Sequence, residues 1–141
     1  MSRIQPAFAD FPEEQAAALQ STWDSAARIL SGATACVAWG MPTLRAADDG
    51  PHLFSVMGFR RHNSLFPHSG SVAEMLKDEL GDRVATKGTI HFDVDRPFPV
   101  RLLRRVLAAR LDEVNASYPR RNGEVRVYNR DGSLRSMSRV R

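Results

Sequence analysis

His91, Asp93 and Asp95 alternate along one apolar run. In an extended strand that alternation puts all three on one face, about 6 to 7 Å apart per step. Two carboxylates and an imidazole suit a hard divalent ion that keeps some of its waters. The bland counterpart is a half-buried strand whose wet face is simply solvated, with Asp95 capping the turn before Pro97. A second acidic group, Glu13 and Glu14, opens a helical pattern near the start of the chain and could meet Asp48 and Asp49 of a later loop. Acids at a helix start, however, complement its dipole first. The four histidines form no HExxH or comparable ligand spacing.

Other residue types point to a groove rather than to a reaction. Lys87-Gly88-Thr89 offers an ammonium, a backbone N–H and a hydroxyl to an anion, with Trp39 and Met41 as apolar walls and His62 and Phe66 as neighbours. Gly88 easing a bulge beside a solvated Lys87 is the simpler alternative. His62 and His68 flank a short segment that fixes no geometry. Cys36 lies in an apolar run without an activating base nearby in sequence, which predicts a buried, inert thiol. There is no GxSxG elbow, Walker A loop or dinucleotide fingerprint, so no catalytic residue is assigned.

These groups must be positioned by a single domain. The chain has 141 residues, 43% of them hydrophobic and 26% charged, enough to bury a core without staples. The apolar runs are far shorter than the about 20 residues a membrane helix needs, and residues 1–15 show no apolar signal core. With one cysteine, these features lead us to expect a cytoplasmic protein. Charge divides along the chain: residues 1–95 hold 8 Lys+Arg against 12 Asp+Glu, and residues 96–141 hold 12 against 4. Every basic residue of that end is an arginine, the two lysines being Lys77 and Lys87. Arg120, Arg121, Arg126, Arg130, Arg135, Arg139 and Arg141 could neutralise phosphates, but only Tyr118 and Tyr128 interleave with them, which ranks nucleic acid below other partners.

Ala16, Leu19, Trp23, Ala26 and Leu30 follow helical spacing after Pro12, and Gly32 ends the pattern. Cys36–Trp39 reads as a buried strand broken by Gly40, Met41 and Pro42. Ala46–Pro51 is a turn, and Leu53–Phe59 with Ser64–Phe66 forms a hairpin. A second helix capped by Ser69 or Ser71 carries Val72, Met75, Leu76 and Leu80 to Gly81. Thr89–Asp95 is a strand. A third helix carries Leu103, Val106, Leu107, Arg110, Leu111 and Val114. Beyond a linker at Tyr118–Gly123, Glu124–Tyr128 and Ser133–Val140 predict a terminal hairpin. The order implies an α+β layer: a small antiparallel or mixed sheet with helices on one face. We divide the chain into a domain at 1–117 and an Arg-rich extension at 118–141.

Three ordered strings carry a resemblance: Trp39-Gly40-Met41-Pro42-Thr43-Leu44, then Arg61-His62-Asn63-Ser64-Leu65-Phe66-Pro67, then Lys87-Gly88-Thr89-Ile90-His91-Phe92 followed by Asp95-Arg96-Pro97-Phe98-Pro99. Over about residues 11–115 the chain resembles the YdhG-like family of small bacterial proteins, most of them uncharacterised. The resemblance implies a frataxin-like helix-and-sheet sandwich. It also implies a non-enzymatic iron-binding protein that hands iron to iron-sulfur or haem assembly proteins; the sequence leaves monomer and homodimer both open. Trp39 stands where the family usually has Tyr, Ala38 where it often has Ser and Asp93 where it often has Pro. Frataxin-type iron binding uses a dense acidic ridge, and the first helix here offers Asp10, Glu13, Glu14 and Asp24. The rival expectations are a small-ligand or partner-binding groove and a nucleic-acid surface at the Arg-rich end.

Overall fold

A computed structural model describes residues 5–117, 120–121 and 123–139. Helix α1, Glu13–Ile29, starts after Pro12 with Glu13 and Glu14 in its first turn. It buries Leu19, Trp23 and Ala26, the stripe expected from spacing. Six strands follow: β1 Thr34–Ala38, β2 Met41–Arg45, β3 His52–Gly58, β4 Asn63–Phe66, then β5 Val84–Thr86 and β6 Thr89–Phe92. They form one antiparallel sheet in the order β1-β2-β3-β4-β6-β5. Between β4 and β5 lie the short helices α2, Val72–Met75, and α3, Lys77–Leu80. Helix α4, Val100–Ser117, buries Leu103, Val106, Leu107, Arg110, Leu111 and Val114. Helices α1 and α4 pack on β3 and on each other, and α2 on α4 and β5, so the helices gather on one side of the sheet. The α+β architecture expected from the sequence is the one observed.

Register assigns the two faces. Leu44 pairs with Phe54 and Val56 with Leu65, which pairs in turn with Ile90; these buried residues meet the helices. Burying Trp23 against Phe54, with ring centroids 6.4 Å apart, makes Trp23→Ala costly by about 3 to 5 kcal/mol. Gly58 lets α1 approach, because a Cβ there would sit 2.9 Å from Leu19 and from Gln15 Nε2. On the opposite face, Cys36, Thr43, Ser55 and Phe66 make one cross-strand row, and Met57, Ser64 and His91 make a second.

Four local expectations are corrected. Met41 and Pro42 do not break the strand: Trp39 and Gly40 alone form the turn, and Met41 resumes pairing opposite Ala38. The β2–β3 ladder begins only at Thr43, so the N–H missing from Pro42 removes no bond to β3. β1 is an edge strand, not a buried one; Val37 is 74% exposed and Cys36 is half-buried. The single helix from Ser69 or Ser71 to Leu80 is two short helices joined at Leu76, and Met75 faces solvent. Finally, β6 ends at Phe92, so Asp93 follows it and Asp95 lies in the turn beyond, and neither shares a strand face with His91.

The Arg-rich end folds back on the body. Strands β7 Arg120–Arg121, β8 Glu124–Tyr128 and β9 Leu134–Arg139 form a second antiparallel sheet. The Asn115 side chain donates to Tyr128 O and accepts from Tyr128 N, while the Gly32 and Ala47 amides donate to Asp131 O and Gly132 O. Tyr128 is buried. Among the described residues no helix is long and apolar enough to cross a membrane.

Candidate functional site

The face of the sheet away from the helices carries its polar chemistry at one end. Trp39 and Gly40 connect β1 to β2 with φ of 50° and 77°. A two-residue hairpin loop of this kind favours Asn-Gly, so a tryptophan at its first position is costly, by roughly 1 to 2 kcal/mol. The indole is nevertheless 79% exposed. It stacks on His68, with centroids 5.8 Å apart and planes 22° apart. His68 also has a left-handed backbone, at φ 55°. His52, at the start of β3, meets both rings edge-on, with centroids 6.0 Å from Trp39 and 5.1 Å from His68. Of the described non-glycine residues with positive φ, which are Trp39, Ala47 and His68, two therefore stack on one another. Strain of this kind collects where geometry serves a purpose.

His68 is held from below. Its Nε2 is 2.5 Å from Ser55 Oγ, which is 2.5 Å from Thr43 Oγ1, and the Thr43 hydroxyl donates to Met41 O. Only the hydroxyl can donate in that last bond, which orders the rest: Ser55 donates to Thr43, and His68 Nε2–H donates to Ser55. Burial lowers the His68 pKa to about 4, reinforced by His52 and Arg110, so the ring is neutral near pH 7. His52 is lowered as well, by burial and then by Arg45 and Arg110. Arg110, itself buried, donates to His52 O through Nε and Nη2 and to Glu113 Oε1 through Nη1. Burial alone would raise the Glu113 pKa, but Ser71, Ser69 and Arg110 donate to its carboxylate and hold it below its ordinary value.

This arrangement resembles a serine–histidine dyad only in its distances. The imidazole donates to the hydroxyl where a general base must accept from it. Ser55 is fully buried, and a ring of pKa about 4 is a weak base at neutral pH.

The residues singled out from sequence are spread across the sheet. Trp39 and Met41 lie at the β1–β2 turn, and Phe66 closes the row of Thr43 and Ser55. Thr89 and the exposed Lys87 belong to the β5–β6 hairpin. That hairpin lies three strand spacings from β2, about 14 Å. His62 stacks on His91 at 3.7 Å between centroids and on Phe59 at 5.6 Å. His62, His91, Asp93 and Asp95 share an open groove of about 680 Å³ with Arg61, Arg83 and Arg96. Glu14 and Asp95 both line a smaller depression, and Glu13 and Asp24 line a separate one. Among the described residues no three His, Cys, Asp or Glu side chains group as a metal site. Asp48 and Asp49 turn elsewhere, to Thr34 and to Arg126.

In the Arg-rich end, Arg126 pairs with Asp49 and Glu124, and Arg130 with Asp112, so their charge is partly spent within the fold. His52, Ser55 and Thr43 were missed from sequence. Ser55 left a signal, being the one hydroxyl inside the apolar run Leu53–Phe59. Asn63, within the second quoted string, turns out to be a buried strut: it accepts from Gln15 Nε2 and donates to Asp93 O.

No family model matches the chain, and no curated protein does. Among solved structures, the fold is similar to that of a DUF1801-family protein, YdhG, from Bacillus subtilis. The TM-score is 0.66 at 13% identity, over 77% of this chain and 88% of that one. At that identity the likeness establishes a shared fold.

Proposed function

We propose that the chain is a non-enzymatic, cytoplasmic, YdhG-like binding protein whose ligand site is the open sheet face around Trp39, His52 and His68. One observation carries this reading: an exposed indole in a left-handed turn stacks on a second left-handed residue, and that residue is held by a buried hydrogen-bond relay. An exposed Trp adds nothing to the core, and its backbone costs stability, so its presence is best explained by what it touches from outside. The proton order of the relay supports holding over catalysis, because Ser55 has no base to activate it.

A fragment screen on the full chain, read by amide and indole shifts, tests this reading. Hits are expected to move Trp39, Thr43, Ser55 and His68 together; hits confined to other surfaces would overturn it. Iron delivery, which the sequence resemblance implies, is separated by titrating ferrous iron without oxygen. The dispersed acids at Glu13, Glu14, Asp93 and Asp95 lead us to expect no saturable heat at tens of micromolar protein, and a saturable one would restore the metal role.

A further inference from the structure

We propose that the corner of Trp39, His52 and His68 takes a flat aromatic molecule bearing a carboxylate, its ring on Trp39 and its anion on Arg45. This rests on the open face being the binding surface and adds the class of ligand.

Shape comes first. Trp39 and His68 lie nearly parallel, and His52 stands at 80° and 61° to them, closing one side. Stacked on His68, the largely exposed indole still offers area to a second planar group, the geometry aromatic pairs favour. Charge then selects the ligand. A ring-lined corner can also attract a quaternary ammonium, but that attraction needs a site without competing cations. Here Arg45 stands opposite His52 in the β2–β3 register, which sets a positive charge beside the corner, and its effect on His52, lowering the ring's pKa, has the same sign.

Arg110 is engaged with His52 O and Glu113. Arg45 pairs across the sheet with His52 and donates Nε to Gly50 O, which fixes its guanidinium. Among the described residues none accepts a hydrogen bond from its two terminal nitrogens, and a carboxylate accepts two parallel bonds from such a fork. The half-buried Arg45 side chain loses less entropy on binding than a fully mobile one.

The test is a shift titration of the full chain with 2-naphthoate, 2-naphthamide, cyclohexanecarboxylate and phenyltrimethylammonium. 2-Naphthoate is expected to move the Trp39 indole N–H and the His68 ring saturably, and to bind about fivefold or more tighter than the amide, in line with a charge-assisted pair. Cyclohexanecarboxylate and the ammonium are expected to leave these signals in place. Arg45→Gln should erase the preference for the acid while the amide still binds. Arg45→Lys, which keeps the charge without the fork, should retain part of it. Amide or ammonium binding at Trp39 as tightly as the acid would overturn the ligand class and leave the binding face standing. No shift at Trp39 with any probe, or shifts centred on His62 and His91, would overturn both.

Discussion

His52 and His68 sit at one end of the sheet and His62 and His91 at the other, and the closer pair is the less constrained. The His62 and His91 rings stack at 3.7 Å, yet among the described residues no hydrogen bond orients either of them. The His91 pKa is lowered by burial and by its neighbour, which two stacked imidazoles on a rim would produce anywhere. His68 is further from its partner, at 5.1 Å, but a chain of two hydroxyls and a carbonyl fixes its tautomer and a left-handed backbone fixes its direction. Proximity of rings alone does not make a site. Orientation maintained at a cost in backbone energy and buried polar groups is the better sign.

The sharpest way to break this contrast is to cut the relay. Ser55→Val leaves the buried Thr43 hydroxyl and His68 Nε2 without their shared partner, and is expected to cost about 1 to 3 kcal/mol in urea unfolding. With no acceptor left for Nε2–H and an apolar side chain in its place, the His68 pKa is expected to stay low or fall further, read by ring proton titration. Acid supplies the next largest effect. A histidine held near pKa 4 in the fold and titrating near 6.5 when unfolded contributes stability that is complete above pH 6.5 and is lost as pH falls toward 4. The part-exposed ring reduces that contribution to about 1 to 2 kcal/mol. Melts of wild type and His68→Gln across that range check the sign: the variant should have the flatter profile.

A smaller effect of opposite sign belongs to Trp39. Asn suits the left-handed position before Gly40, so Trp39→Asn should stabilise the chain by about 0.5 to 1 kcal/mol. The weakest effect is expected at the other pair, where His62→Gln or His91→Gln should stay within about 0.5 kcal/mol of wild type in the same unfolding assay. A cost there as large as that of Ser55→Val would remove the distinction between the two ends.

The layered architecture was legible because its signals are periodic. The stripe from Leu19 to Leu30 and the run Leu103–Val114 could only be faces on a core, and Leu53–Phe59 with Ser64–Phe66 could only be a hairpin. Pairing decisions were less legible. Pro42 reads as a strand breaker unless one knows that its N–H side has no ladder to join, and the turn at Trp39 hides because tryptophan is the wrong residue for it. The site was legible only in part. Trp39 stood out by type, but His52 and His68 are brought beside it by a β3 register that begins at Arg45 opposite His52, which no local spacing encodes. The alternation of His91, Asp93 and Asp95 was a real pattern whose strand stops at Phe92, before either carboxylate.

Whether Trp39 is kept for contact with a ligand rather than for the fold is decided by Trp39→Asn. The variant is expected to melt higher than wild type and to show no fragment-induced shifts at Thr43, Ser55 and His68. A variant that melts lower, or that binds the same fragments at the same residues, would contradict it.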